Sequence, residues 1–446
     1  MVLMKQIPFP PKGMPQADVL SLIRSFKAGD SDWHEGRLFG LIYYAGQEVE
    51  AMAREAYASC MFENALSPLD FPSLLKMETE FVSMVGTLFG GDEETAGSMT
   101  SGGTESILMA VKAARDWAGT NRPEVKSPEL VAPLTVHPAF NKAADYLGLK
   151  IVQTPVDASF RADVKAMEEA ITENTIMVAA TAVTYPQGII DPIPEIGALA
   201  AGKNLWFHVD GCLGGFMLPF LKKLGYKIPP FDFSVAGVRS LSADIHKYGY
   251  VSKGVSTVLY RNRELRQHQF FVYADWPGGV YATPSLSGAR PGGAIASAWA
   301  ILRYLGEEGF IRLAKEAREA TLRLMEGIRT IPGLFVLGDP PATVFAFGSR
   351  TIDVYRLAFK LKERGWHLHA QHRPPSLHMT ISPYHEKIVE PFLTDLREAA
   401  AELAETGTEA PSGEAALYGM MGTMPDRETA KLLALQYLND LYGLKE

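Results

Sequence analysis

Residues 242–247 read Ser-Ala-Asp-Ile-His-Lys, and they follow an apolar run at residues 205–210 that ends in His-Val-Asp. The first motif places a lysine, Lys247, directly after a histidine, and the second places a carboxylate, Asp210, at the end of a predicted strand. A lysine amine condenses with the aldehyde of pyridoxal 5'-phosphate, and a carboxylate holds the pyridine nitrogen of that cofactor protonated. The two motifs together therefore predict a pyridoxal phosphate enzyme in which Lys247 carries the cofactor and Asp210 faces its ring nitrogen.

A glycine-rich turn upstream predicts where the cofactor phosphate binds. Residues 100–104 read Thr-Ser-Gly-Gly-Thr and precede a helix predicted over residues 105–117. Backbone N–H groups at a helix N-terminus attract anions, so Gly103 and Thr104 are candidate phosphate contacts. His137, after a predicted strand, is expected to lie flat over the cofactor ring, and His246 is a further candidate cofactor contact.

Each of these residues also has a simpler interpretation. Lys247 could be a solvated loop lysine, and Asp210 could cap the following helix. A Gly-Gly-Thr turn is usually only the start of a helix, and a histidine after a strand is more often simply hydrogen-bonded. The coincidence of all four features in one α/β segment favours the cofactor site.

Composition describes a large globular protein. The chain has 446 residues, 47% of them hydrophobic, which is enough for two or three domains. A net charge of −8 without a basic block does not favour binding to nucleic acid or anionic membranes. Two cysteines fit a reducing compartment, and no apolar run approaches the roughly 18 residues of a membrane span. We therefore expect a cytoplasmic protein without a transmembrane anchor.

Three segments are predicted from the alternation of apolar runs, helical periodicity, and glycine and proline. Residues 1–64 form a proline-rich arm followed by helices, residues 65–293 form a large cofactor-binding domain, and residues 294–446 form a linking helix and a small C-terminal α+β domain. Strands of a mainly parallel sheet are predicted at residues 130–136, 151–155, 175–183, 205–210 and 256–260. The C-terminal unit has predicted strands at 334–337, 343–347 and 377–382, and residues 406–415 are a predicted flexible loop.

Two further sequence patterns are only weak evidence for a binding site. Residues 197–204 nearly match a phosphate-binding P-loop, but Asn204 replaces the Ser or Thr that binds magnesium, and the stretch precedes a strand instead of following one. Five of the ten histidines lie between His367 and His385. Zinc is conceivable there, but no cysteine or paired acid accompanies them, and strand alternation explains His367 and His369 equally well. No metal site is predicted.

Longer motifs give the chain a family resemblance. They are Phe-Asn-Lys-Ala at 140–143, Tyr-Pro-Gln-Gly-Ile-Ile-Asp-Pro at 185–192, Asp-Trp-Pro-Gly-Gly at 275–279 and Leu-Tyr-Gly-Met at 417–420. With the motifs around Asp210 and Lys247, they make the chain similar to the sphingosine-1-phosphate lyase family, within the fold-type I pyridoxal phosphate enzymes close to the group II decarboxylases. Lys253 and the Trp276 and Tyr418 segments distinguish the lyases from the decarboxylases.

The resemblance implies a seven-stranded type of sheet and a role in sphingolipid metabolism. The implied reaction is retro-aldol cleavage of a phosphorylated long-chain base to a fatty aldehyde and phosphoethanolamine, after the substrate amine replaces Lys247 on the cofactor. It further implies a homodimer, in which the loop at Gly288 reaches the neighbouring subunit's cofactor phosphate. The contacts that it implies for the substrate's phosphate and polar head are Tyr43, Asn64, Tyr185, Lys253 and Tyr418.

Some questions stay open on the sequence alone. Tyr43, Lys253 and the substrate phosphate are all possible acceptors of the substrate's hydroxyl proton. A group II amino-acid decarboxylase is the alternative function, and a non-catalytic binding module is a third. The chain also departs from the family at three positions: Ser67 stands where the family has histidine, Gly211 where it has alanine, and Ala289 where it has serine.

Overall fold

A computed structural model describes residues 7–405 and 426–442 of the chain. Its largest sheet has seven strands in the order β1-β7-β6-β5-β4-β2-β3. The strands β2 to β6 run parallel, and β7 is antiparallel to both β1 and β6. The predicted mainly parallel, seven-stranded sheet is thereby confirmed. Its strands are β1 (Ala96–Thr100), β2 (Glu129–Pro133), β3 (Lys150–Thr154), β4 (Thr175–Thr181), β5 (Trp206–Asp210), β6 (Val238–Ala243) and β7 (Ser256–Tyr260).

The five predicted strands of this sheet are present, with ends that differ by up to three residues from the predicted ones. The β2, β4 and β5 strands are buried along their whole length, as expected for strands covered by helices on both faces. The sequence did not predict β1 or β6. The β6 strand contains two buried serines, Ser240 and Ser242, whose hydroxyls lie within hydrogen-bond distance of the ring nitrogens of His208. These polar residues broke the apolar pattern on which the prediction depended.

Helices cover both faces of the sheet and continue into the C-terminal part. The helix that begins beside the glycine-rich turn buries most of its apolar residues against the sheet. The P-loop-like stretch lies largely within a helix, so it does not form a phosphate-binding loop. The helices are α1 (Gln16–Phe26), α2 (Gln47–Ser59), α3 (Pro72–Leu88), α4 (Gly103–Asn121), α5 (Ala139–Leu147), α6 (Val164–Ala170), α7 (Ile193–Gly202), α8 (Leu218–Lys223), α9 (Arg263–Gln267), α10 (Gly292–Arg329), α11 (Val354–Glu363), α12 (Val389–Glu405) and α13 (Arg427–Leu441).

A two-stranded hairpin, β8 (Phe271–Tyr273) and β9 (Tyr281–Thr283), precedes the long helix α10. That helix is interrupted at Gly306, whose φ of 55° is left-handed. A second, antiparallel sheet follows in the order β10-β11-β13-β12, formed by β10 (Leu334–Val336), β11 (Val344–Ser349), β12 (His369–His372) and β13 (Pro375–Thr380). It has its own apolar core, which includes Phe345, Trp366 and Phe392.

The predicted division at residues 64/65 and 293/294 stays a prediction. The predicted loop at residues 406–415 and the segment with Tyr418 lie outside the described residues. Among the helices within residues 7–405 and 426–442, none is both long enough and apolar enough to cross a membrane.

Candidate active site

The carboxyl ends of the parallel strands bring the predicted residues together. His137 follows β2, Tyr185 follows β4, Asp210 ends β5 and Lys247 follows β6. Ligands of open α/β sheets bind at this edge of the sheet. A cavity of about 240 Å³ lies here, and its wall includes eight of the predicted site residues: Tyr43, Gly103, Thr104, His137, Tyr185, Asp210, Lys247 and Lys253.

Lys247 forms an ion pair with a carboxylate that the sequence analysis did not assign. Its Nζ lies 2.8 Å from Oδ2 of Asp244, a side chain that is almost completely buried. Burial of Lys247 acts to lower its pKa, but the charge of Asp244, its hydrogen bond to Lys247, and the nearby Tyr43 and Cys212 together raise the pKa above its usual value. The lysine is therefore a charged ammonium in this state, and it must lose a proton before its amine can attack an aldehyde.

Asp210 is the buried carboxylate that the motif predicted. It is 3% exposed, and its Oδ1 accepts hydrogen bonds from the Cys212 N–H at 2.9 Å and the Ser242 hydroxyl at 3.3 Å. The next helix, α8, begins at Leu218, so Asp210 does not cap it. A buried carboxylate is costly without a cation, and a protonated ring nitrogen in the cavity would provide one.

His137 is a neutral ring in the cavity wall. The backbone N–H of Ala139 donates to its Nδ1 over 3.1 Å, which leaves the ring hydrogen of the neutral form on Nε2. Burial lowers the pKa of His137. An uncharged imidazole held in this way can lie against a flat ring, as the sequence analysis predicted.

The start of α4 lines the cavity with Gly103 and Thr104. A Cβ atom on Gly103 would lie 2.7 Å from the Asp244 carboxylate and 2.9 Å from Sγ of Cys212, so only glycine allows this close approach. The predicted cofactor contact His246 does not line the cavity but lies beside it, with Nε2 3.5 Å from the same carboxylate.

The cavity wall also contains a polar atom that lacks a partner. Within the described part of the chain, the buried hydroxyl of Thr181 makes no hydrogen bond. Thr181 pairs with Asp210 across strands β4 and β5. An amine, a buried carboxylate, a neutral imidazole, a helix N-terminus and a free hydroxyl thus share one cavity. These donors and acceptors fit pyridoxal phosphate.

Lys253 and Tyr43 lie together on another part of the wall. The Lys253 ammonium donates to the backbone oxygen of His246 over 2.9 Å and lies 4.9 Å from the centre of the Tyr43 ring. Burial, together with the charge of Lys247, lowers the pKa of Lys253 to about 8. Burial raises the pKa of Tyr43 to about 12. Lys253 is therefore close to titration at neutral pH, whereas Tyr43 keeps its proton.

Asn64 and Gly288 do not line this cavity. Oδ1 of Asn64 accepts hydrogen bonds from the backbone N–H groups of Leu66 and Arg290, each at 3.0 Å, and so attaches the Arg290 segment to the N-terminal part. The guanidinium of Arg290 is paired with Glu78 at 2.7 Å. The roles of Asn64, Gly288, His246 and Tyr418 stay predictions, and Tyr418 lies outside the described residues.

Three further residues line this wall and were not predicted from the sequence: Asp244, Thr181 and His369. Asp244 had a signal, because it stands three residues before Lys247 in the same motif. Thr181 had none beyond its place at a strand end. His369 was visible only as one of the clustered histidines.

Three of the clustered histidines make contacts within the protein. His369 lines the cavity, His378 stacks under the ring of Tyr185, and His385 is bonded to Ser382 and to the backbone of Leu38. Within residues 7–405 and 426–442, no group of three or more His, Cys, Asp or Glu residues could hold a metal ion.

Known proteins resemble this chain over nearly its whole length. The pyridoxal-dependent decarboxylase conserved domain matches residues 12–348. Over 441 residues the chain is 44% identical to sphingosine-1-phosphate lyase of Arabidopsis thaliana. The aligned region covers 97% of this chain and 80% of the plant protein. It is 41% identical over 437 residues to sphingosine-1-phosphate lyase 1 of Rattus norvegicus, covering 97% of this chain and 77% of the rat protein.

Solved structures give the same result for the fold. The sphingosine-1-phosphate lyase of Burkholderia pseudomallei K96243 superimposes with a TM-score of 0.87 at 38% identity, over 91% of this chain and 95% of that one. Glutamate decarboxylase of Lactobacillus brevis superimposes with a TM-score of 0.80 at 17% identity, over 91% of this chain and 97% of that one. The second likeness concerns the fold alone, and the predicted fold type is confirmed.

Proposed function

This chain belongs to the pyridoxal-dependent decarboxylase family and, within it, to the sphingosine-1-phosphate lyases, and from that premise we propose its reaction. It is a pyridoxal phosphate-dependent carbon–carbon lyase that cleaves a phosphorylated long-chain base to a fatty aldehyde and phosphoethanolamine. The observation that carries the proposal is the second lysine of the cavity, Lys253, on the same wall as Lys247. The substrate of an amino-acid decarboxylase carries no phosphate for a second lysine to bind, whereas a phosphorylated long-chain base does.

The residues of the cavity divide into those that hold the cofactor and those that hold the substrate. Pyridoxal phosphate, when bound, supplies an aldehyde for a lysine amine and a ring that accepts electrons from a breaking bond. Lys247 provides the amine, Asp210 the negative charge for the ring nitrogen, and His137 a flat uncharged surface for the ring. The N-terminus of α4, at Gly103 and Thr104, provides N–H groups for the phosphate.

The substrate's phosphate belongs beside Lys253. A dianionic phosphate stabilises the ammonium form of a lysine whose pKa is only about 8, so binding holds Lys253 charged. Tyr43, whose pKa is about 12, remains a phenol that can donate a hydrogen bond to the polar head. Tyr185 contributes a second phenol to the same wall.

Cleavage requires a base for the hydroxyl proton on the carbon next to the amine-bearing carbon. A group that keeps its own proton cannot accept another, so Tyr43 is excluded as the base at neutral pH. By the same argument Lys253, which the bound phosphate holds as an ammonium, cannot accept the proton either. Of the three earlier alternatives this leaves the substrate's own phosphate, which the ammonium of Lys253 orients.

The product of the reaction distinguishes the lyase from the alternative decarboxylase. The holoenzyme is incubated with a phosphorylated long-chain base and, separately, with a panel of amino acids. We expect fatty aldehyde and phosphoethanolamine in equal amounts from the first incubation. Release of carbon dioxide from an amino acid, without aldehyde from the long-chain base, would instead identify a group II decarboxylase. If the enzyme holds its cofactor but catalyses neither reaction, only the interpretation as a binding module remains.

Replacing Lys253 tests the phosphate contact. Lys253→Ala is expected to reduce kcat/KM by about 10- to 150-fold, because a hydrogen bond to a charged group contributes roughly 1.5–3 kcal/mol. The visible absorbance of the bound cofactor should stay unchanged. Lys165→Ala is the matched control, since Lys165 is an exposed lysine on α6 that should have no effect. Wild-type kinetics in Lys253→Ala would remove Lys253 from the substrate site.

The pH profile provides an independent check on the same residue. Lys253 is an ammonium below its pKa of about 8 and a neutral amine above it, so phosphate binding weakens as pH rises through that value. The alkaline limb of kcat/KM should therefore fall about tenfold per pH unit above about pH 8. Lys253→Arg keeps its charge to pH values above 12 and should lose this limb. A limb that persists in Lys253→Arg belongs to another group.

A homodimer in the cytoplasm is part of the proposal. Helix α1 has no buried residue although it carries five exposed large apolar side chains. The β8–β9 hairpin exposes Val272, Trp276 and Val280 by more than half. Exposed apolar surfaces of this kind are typical of protein interfaces. Both cysteines are free, as in a reducing compartment.

The dimer has a direct test. Light scattering should give twice the mass of one chain, and dilution to the monomer should abolish lyase activity together with cofactor affinity, because Gly288 is expected to reach the neighbouring cofactor phosphate. A monomer with full activity would contradict the shared site. The visible absorbance of the diluted enzyme reports cofactor loss separately from turnover.

A further inference from the structure

A hydrogen-bonded pair, Tyr185 and His369, joins two distant parts of the chain in the wall of the cavity. Tyr185 follows strand β4 of the large sheet, and His369 begins β12 of the C-terminal sheet, 184 residues later. The phenol oxygen of Tyr185 lies 2.9 Å from Nδ1 of His369, and both residues line the cavity. Nothing in the proposed reaction uses His369 so far.

The C-terminal sheet makes two contacts with the tyrosine and one with the proline that follows it. The ring of Tyr185 stacks on that of His378, with centroids 4.0 Å apart and planes 23° apart. The amide of Gln371 donates to the backbone oxygen of Pro186 over 2.9 Å. These two contacts fix the turn and the plane of the ring, and His369 is bonded to the hydroxyl. His369 therefore contributes to the direction of the hydroxyl in the cavity.

The imidazole of His369 is itself tightly placed. A Cβ atom on Gly40 would approach its Cε1 to 3.2 Å, so the glycine leaves just enough room for the ring. The ring lies nearly parallel to that of His378, with 16° between the planes. Burial lowers the pKa of His369, which keeps the imidazole neutral near pH 7. A neutral imidazole has one donor and one acceptor, and either suits a phenol.

We propose that His369 is a positioning residue, which fixes the hydroxyl of Tyr185 against the polar head of the substrate through the hydrogen bond at Nδ1. This inference rests on the proposed function, because it assumes that Tyr185 contacts the substrate. Without the bond, the ring of Tyr185 remains stacked on His378, but its hydroxyl loses the partner that lies 2.9 Å away at Nδ1. The contact with the polar head then weakens in the ground state and in the transition state alike.

Three substitutions at His369 separate positioning from simple packing. His369→Leu fills the space without a polar atom, and we expect it to raise KM about fivefold, the effect of one neutral hydrogen bond. His369→Asn carries its oxygen and nitrogen on the same atom that bears Nδ1 in histidine, so KM should stay within about twofold of wild type. His369→Gln is one carbon longer and places its polar atoms near Nε2 instead, so it should resemble His369→Leu. The turnover number should change little in all three.

A double-variant cycle tests whether His369 acts through Tyr185. If it does, the Tyr185→Phe variant has no hydroxyl to position, and adding His369→Leu to it should change KM by no more than about twofold. The affinity for phosphoethanolamine, measured by calorimetry on the holoenzyme, should follow the same pattern as KM. The thermal unfolding temperature and the cofactor absorbance of each variant are measured alongside, and they should match those of the wild-type enzyme.

The outcomes are distinguishable. Wild-type KM in His369→Leu, additive effects in the double variant, or failure of a stable His369→Asn variant to restore KM would each overturn the inference. Absence of lyase activity in the wild-type enzyme would overturn the proposed function instead. The phosphoethanolamine titration would in that case still show whether His369 and Tyr185 act as a pair.

Discussion

Lys247→Ala is expected to abolish turnover and to remove the covalently held cofactor. The loss of a positioned proton-transfer group alone reduces rates by roughly 10²–10⁴-fold, and Lys247 also provides the only amine in this proposal that attaches the cofactor, so we expect at least about a thousandfold loss. The purified variant should lack the visible absorbance of wild-type enzyme. Absorbance spectra and single-turnover assays, with cofactor added in excess, measure both effects.

The ion pair with Asp244 requires a second variant at this position. Lys247→Ala leaves a buried carboxylate without its cation, which costs roughly 3–5 kcal/mol of stability. Lys247→Arg keeps a cation beside Asp244 but has no amine that can condense with an aldehyde. We therefore expect Lys247→Arg to be folded and inactive. Lys203→Ala, at an exposed lysine after α7, should be normal in every respect. Turnover by a folded Lys247→Arg enzyme would contradict the assignment.

Asp210→Asn should produce the second largest loss. The amide oxygen of asparagine can still accept from the Cys212 N–H and the Ser242 hydroxyl, so the fold should be retained. The negative charge for the ring nitrogen is lost. Removing one partner of a buried ion pair costs roughly 3–5 kcal/mol, so kcat/KM should fall roughly 150- to 5,000-fold. The affinity for pyridoxal phosphate, from absorbance titration, should fall as well.

A matched aspartate provides the control for that substitution. Asp163 is the N-cap of α6, where its carboxylate accepts a hydrogen bond from the Ala166 N–H at 3.0 Å. Asp163→Asn makes the same chemical change without facing the cavity, and it should leave kcat/KM and cofactor affinity within about twofold of wild type. Equal losses in the two variants would mean that Asp210 acts on stability and not on the cofactor.

The sequence predicted the parts of the fold whose apolar runs are continuous. The strand that ends at Asp210 is apolar except at His208 and Asp210, and its burial follows from helices on both faces. Strand β6 was missed although it leads directly to Lys247. Its serines are tolerated inside because they bond to His208 on the neighbouring strand. A partner so far away in the sequence leaves no local pattern.

The candidate site, like the fold, could be predicted only in part from the sequence. The residues that follow the strands of the large sheet could be grouped in advance, because the carboxyl ends of parallel strands share one edge. The contact of Tyr185 with His369 could not, because it depends on how the C-terminal sheet packs against the large one. Asp244 lay within the quoted motif, but its role as the counter-ion of Lys247 depends on its burial, which spacing does not reveal.

The central claim, that Lys247 carries pyridoxal phosphate at the carboxyl edge of the sheet, has one direct test. Borohydride reduction of the yellow holoenzyme fixes the cofactor to the lysine that holds it, and mass spectrometry of a digest locates the modified peptide. We predict that the cofactor is recovered on the peptide that contains Lys247, with none on the peptide that contains Lys253 when the two are cleaved apart. Recovery of the cofactor on Lys253 or any other lysine would contradict the assignment.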